Sequence, residues 1–227
     1  MSATATVGTH TAIATRVRGG RAGAIAGLAF SLLFLLGTAM LNIPLGASDE
    51  KLVAFWSDSG NQVTSIISMY SFVLAGLCFL VFLVQLRSRL LAAEGGDGRL
   101  SALVVASGGV FVAMLIVAAA SRGMIGFALK APGSKESLPG ADTLRYIPQI
   151  GYAALGAGGM LAAAVAMATT SWLIVRTGAF SRWLAWVGGV AAILIIAANA
   201  ALAGMLAIPV MLVWALSTSV AMWRGAR

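Results

Sequence analysis

Six polar side chains stand where an otherwise apolar chain could meet a ligand: Arg122, Arg145, Tyr146, Gln149, Tyr152 and Asn199. A guanidinium presents planar, paired N–H donors that fit a carboxylate or phosphate, so two of them beside phenols and amides suit an anionic ligand. Arg122 interrupts an apolar run that resumes as Gly123-Met124-Ile125-Gly126-Phe127-Ala128-Leu129, about two further helical turns, which sets its charge below the outer interface of a membrane. Arg145, Tyr146, Gln149 and Tyr152 fall at the matching depth of the following apolar run, with Asn42 at the end of the first and Asn199 at a later reversal. Together they could line an outward-facing polar pocket. The plainer alternative is that the two arginines snorkel to headgroups and the amides satisfy helix ends.

Other chemistry lacks its residues. His10 is the only histidine and Cys78 the only cysteine, so bis-histidine haem ligation, HExxH zinc chemistry and an internal disulfide have no basis within one chain. No metal ligands, cofactor-binding residues or catalytic residues are assigned. All seven acidic residues lie in loops, whereas ion-coupled transporters place carboxylates within the membrane. Ser107, Ser171, Ser217 and Ser219 lie in apolar runs without a histidine or buried lysine to activate them; such hydroxyls bond a carbonyl one turn back. No Walker loop and no GxGxxG turn occurs.

The elements that position these residues follow from composition: 60% of residues are hydrophobic and 10% charged, with mean hydropathy +0.96, a mixture that does not cover a water-soluble surface. A helix needs about 20 apolar residues to cross about 30 Å of hydrocarbon, and on that length the chain yields spans at 22–41, 63–86, 101–121 and 147–175. One double-length run then splits at 183–199 and 204–223 around Asn199, Gly204 and Pro209, where capping chemistry favours a reversal. The fold class is all-α: a polytopic membrane protein, a six-helix transmembrane bundle with both termini cytoplasmic.

That orientation rests on basic residues, which collect on the cytoplasmic side. One side receives Arg16, Arg18, Arg21, Arg87, Arg89, Arg99, Arg176, Arg182, Arg224 and Arg227 against Glu94 and Asp97; on the other, Lys51, Arg122, Lys130, Lys135 and Arg145 are balanced by five acids. The net charge of +8 thus meets anionic headgroups, and the partner is the lipid bilayer, with no nucleic acid required. The cell membrane of a bacterium is the expected location.

Residues 1–21 read as a disordered cytoplasmic tail, followed by an uncleaved first span. Cleavage near Leu45-Gly46-Ala47 is the alternative and would leave five spans. Small residues recur every fourth position at Gly23, Gly27 and Ser31, and again at Ala154, Gly158, Ala162 and Ala166. Such grooves serve packing within the chain, or else a homodimer or a partner membrane protein.

Two outer loops stand out. Ser48 can cap a short helix with Asp49 and Glu50 in its first turn, and Leu52, Val53, Phe55 and Trp56 give it an apolar side. Trp and Phe favour the headgroup boundary, so an interfacial anchor is expected rather than a lid. The second loop, 131–142, carries Pro132, Gly133, Pro139 and Gly140 and reads as flexible.

Phe55-Trp56-Ser57-Asp58, Arg87-Ser88-Arg89-Leu90 and Arg176-Thr177-Gly178-Ala179-Phe180-Ser181-Arg182-Trp183-Leu184-Ala185-Trp186, with Pro209, Trp214 and Ser217, make the chain resemble the small six-span bacterial membrane proteins of the DUF4386 type, a family of unknown function. The resemblance implies the six-span fold and no activity.

Three function classes follow. A non-enzymatic membrane component, structural, regulatory or partner-binding, fits spans without ionisable residues. A carrier or binding protein for a lipid or a small hydrophobic or anionic molecule would need a cavity with Arg122 or Arg145 at its mouth. An enzyme would need Tyr146, Tyr152 or a loop carboxylate as acid or base, and the reading leans away from it.

Overall fold

The computed structural model describes residues 3–40 and 42–225, with side chains from Gly20 onward. The expectation of a disordered tail falls on residues whose side chains lie outside that description. The elements run in order as α1 (Ala3–Met40), α2 (Asp49–Ser57), α3 (Ser59–Glu94), α4 (Arg99–Lys130), α5 (Ala141–Ala153), a π-helical segment (Ala154–Gly159), α6 (Met160–Thr177), α7 (Arg182–Ala200), a 3-10 turn (Gly204–Ala207) and α8 (Ile208–Arg224). The described residues contain no strand.

Six of these helical stretches are long and apolar enough to cross a bilayer: Gly20–Met40, Ser59–Glu94, Arg99–Lys130, Ala141–Thr177, Arg182–Ala200 and Gly204–Arg224. The chain is a multi-pass membrane protein with an all-α bundle. In hydrocarbon only a helix satisfies every backbone polar group within its own segment, which is why apolar length alone specified these elements. Several helices overrun the apolar limits, because polar ends such as Ser59-Gly60-Asn61-Gln62 extend into the region where water can reach them.

Helix α3 is the hub, packing on α1 and α4; α6 packs on α7 and α4, and α8 on α1. The core is aromatic: Phe30, Phe34, Phe72, Phe79, Phe82 and Phe111 form a chain of ring contacts that ends edge-on at Trp214. Edge-to-face pairs add stability beyond area burial, a gain that matters where lipid removes the hydrophobic drive for helix association. The small-residue stripe of α1 is used within the chain, with Gly23 against Gln85 and Met222 and Gly27 against Phe82 and Ser219.

Span hydroxyls do bond one turn back: Ser31 to Gly27 O, Ser107 to Leu103 O, Ser171 to Met167 O and Ser219 to Ala215 O. Ser68 differs, donating across to Gly37 O of α1 at 2.6 Å.

At the arginine-rich end, Arg89 donates to Met222 O at 2.9 Å, satisfying a carbonyl near the end of α8. Glu94 accepts from the Leu100 and Ser101 amides that open α4.

Helix α2 corrects the interfacial-anchor expectation. Leu52 and Trp56 are fully buried, in a cluster with Ile43, Ile125 and Leu144. The apolar side of α2 therefore covers α4 and α5 instead of lipid. Ser48 stands at the N-cap but makes no side-chain cap bond; the neighbouring backbone is held by Arg145 instead. At its other end, Asn61 and Gln62 donate to Phe55 O and Trp56 O, tying α2 to α3.

Candidate functional site

At the loop-capped end, a cavity of about 450 Å³ opens among α1, α3, α4, α5 and the start of α8. Arg122 stands in its wall, 7% exposed. The rise along α4 from Arg99 to Arg122 is about 35 Å at about 1.5 Å per residue. That exceeds the roughly 30 Å of hydrocarbon, which places the guanidinium at headgroup level when Arg99 lies at the opposite surface.

Its surroundings are aromatic and polar together. Arg122 Nη1 donates to Tyr152 Oη at 2.9 Å, and its guanidinium carbon lies 5.3 Å from the Tyr152 ring centre and 5.6 Å from that of Phe72. Two ring faces and a phenol oxygen offset part of the cost of withdrawing the charge from water. Gly151 makes the pairing feasible: a Cβ there would lie 2.2 Å from Ser121 Oγ and 2.9 Å from the Ala118 Cα, so only glycine lets α5 approach α4 this closely.

The helix then changes pitch. The π segment at Ala154–Gly159 follows directly on Tyr152 and Ala153, in a run whose Gly156, Gly158 and Gly159 favour regular helix least. Such bulges are frequent at functional sites. Opposite it, the α7–α8 hairpin turns back. Leu202 holds the left-handed position at φ +56°, Leu202 N–H donates to Asn199 O and Ala203 N–H to Ala198 O, the pattern of a Schellman cap. The sequence placed the reversal around Asn199 to Gly204, a range that contains Leu202. Gly204 serves a different need, since a Cβ there would lie 2.4 Å from Gly156 O.

Of the six predicted residues, the fold brings Arg122 and Tyr152 together in the cavity wall, with Asn42 beside them. Arg145 turns to the α1–α2 connection. Its Nη1 donates to Leu45 O, its Nη2 to Ala47 O at 2.9 Å, and the same Nη2 pairs with Asp49 at 2.6 Å. Tyr146 is 61% exposed and Gln149 is also exposed, outside the cavity lining. Asn199 donates to Ile195 O at 3.0 Å and presses on Gly204, the helix-end role of a half-buried amide.

Sequence reading did not single out Phe34, Thr38, Phe72, Met205 and Ile208, which also line the cavity. Phe34 and Thr38 sit one turn apart on α1, eight and four positions before Asn42, the one local signal of a shared wall. No group of three or more His, Cys, Asp or Glu stands together among the described residues. The cavity can thus hold a small molecule with an anionic group at Arg122 and an apolar body against Phe34, Leu155 and Ile208. Comparison with protein-family models, curated proteins and solved structures found no match.

Proposed function

We propose that this protein is a non-enzymatic component of the bacterial cell membrane, with both termini cytoplasmic, that binds a small amphipathic molecule carrying a carboxylate or phosphate. The observation that carries this reading is the buried guanidinium of Arg122 in the wall of an otherwise mostly apolar cavity of about 450 Å³. Binding sites are typically concave and apolar with a few convergent polar groups, at volumes of about 300–1,000 Å³. A cation kept at such a site has a standing electrostatic attraction for an anion, strengthened by the low dielectric around it. The resemblance to the DUF4386 type is compatible with this role and assigns no reaction.

The test is calorimetric titration of octyl phosphate into the full chain in nanodiscs. Saturable binding is expected, weakened about tenfold or more (about 1.4 kcal/mol) in Arg122→Gln. Equal affinity in both proteins would remove Arg122 from the site and overturn the reading.

A further inference from the structure

We infer that the ligand is an acyl amphiphile already dissolved in the bilayer, which enters sideways between the end of α1 and the tip of the α7–α8 hairpin. This rests on the anion-binding reading above and adds the class of ligand and its route.

The hairpin is short. Its two membrane-length helices have 19 and 21 residues, beside 32 for α4 and 37 for the stretch through α5 and α6. Its tip docks at Gly156, not at the outer start of α5. From Thr177 back to Gly156 is about 31 Å of helix, close to the roughly 30 Å of hydrocarbon. The tip accordingly lies at the upper edge of the hydrocarbon, with α5 standing above it.

The chemistry of the tip agrees. Residues 200–208 carry no polar side chain, and Leu202 and Leu206 are 97% and 78% exposed. A β-carbon in the left-handed region costs energy, and Gly or Asn usually takes that position. A leucine held there and projecting outward suits contact with lipid chains, not water.

The gap is visible in the packing. Helix α1 packs chiefly on α3 and α8, whereas the Gly204–Ala207 turn packs chiefly on α7, α8, the π segment and α6. Thr38 and Ala39 are exposed and at the same time line the cavity, as does Met205 of the turn. The cavity therefore reaches the protein surface at the side, between helices. Along α1 and into the residue beyond it the lining grades from Phe34 through Thr38 to Asn42, apolar toward the bilayer centre and polar toward the surface. An amphiphile with its anionic head on Arg122 and its chain leaving over the tip keeps the orientation it has in a leaflet.

The experiment uses the full chain in phosphatidylcholine nanodiscs with hexadecyl phosphate bearing a diazirine on the part of its chain next to the phosphate, and butyl phosphate as a competitor. Saturable crosslinks are expected on 34–42 and 202–208, lowered about tenfold by Arg122→Gln. Ala39→Trp, at an exposed position that leaves the fold intact by thermal unfolding, is expected to lower crosslinking by clearly more than it lowers butyl phosphate binding. If butyl phosphate competes as well as unlabelled hexadecyl phosphate and Ala39→Trp affects both equally, the chain takes no part; the lateral route is overturned while the anion site stands. If neither phosphate binds the unmodified protein, the anion site fails and the inference with it.

Discussion

Arg122 Nη1 and Tyr152 Oη meet at 2.9 Å across thirty residues of sequence, and this contact joins α4 to α5 at the wall of the cavity. Tyr152→Phe keeps the ring beside the guanidinium and removes the acceptor. A hydrogen bond to a charged group contributes about 1.5–3 kcal/mol, so thermal unfolding in detergent is expected to move down by an amount equivalent to about 1.5 kcal/mol. An unchanged melting temperature would mean that the phenol contributes nothing to holding Arg122.

Arg145 separates two contributions at one side chain. Its carbonyl bonds to Leu45 and Ala47 order the α1–α2 connection, while its partner Asp49 is two-thirds exposed. Exposed ion pairs contribute about 0–1 kcal/mol. Arg145→Ala is expected to open residues 42–48 to limited proteolysis, with Asp49→Asn leaving the cutting rate within about twofold. Equal acceleration by both variants would assign the clamp to charge instead.

Trp56 distinguishes a packed cap from a lipid anchor. Truncation of a buried Trp to Ala costs about 3–5 kcal/mol, and Trp56 is fully buried against protein. Trp56→Ala is therefore expected to destabilise the purified protein strongly in detergent, where an anchor would contribute little. Stability within about 1 kcal/mol of the unmodified chain would contradict the packing of α2.

Gly204 allows backbone to meet backbone. Because the nearest obstacle to a Cβ is the Gly156 carbonyl, with the Asn199 amide behind it, Gly204→Ala must push the hairpin tip off the π segment even if Asn199 moves aside, at a cost of about 1–3 kcal/mol. Hydrogen exchange is expected to rise in 154–159 and 200–208 together. A rise confined to the hairpin would show that the π segment does not depend on it.

These predictions fall unevenly between what local sequence and what packing can specify. The spans were legible because the cost of crossing hydrocarbon depends on the length and polarity of a contiguous stretch, and the hydroxyls of Ser31, Ser171 and Ser219 behaved as local geometry dictates. The reversal was legible in place but not in mechanism. Asn199 and Gly204 marked it, yet Leu202 took the left-handed position, because the constraint on Gly204 came from Gly156, far away in sequence.

The candidate site shows the same division. By itself, the sequence determined an all-α membrane bundle, the asymmetry of its charges, and that Arg122 interrupts an apolar run. Tertiary structure alone decided that Tyr152 and Phe72 enclose Arg122 while Arg145 holds a loop, and that Trp56 faces protein instead of lipid. Hydropathy measures how a residue partitions between phases, whereas these outcomes depend on which helix face meets which, at separations of tens of residues.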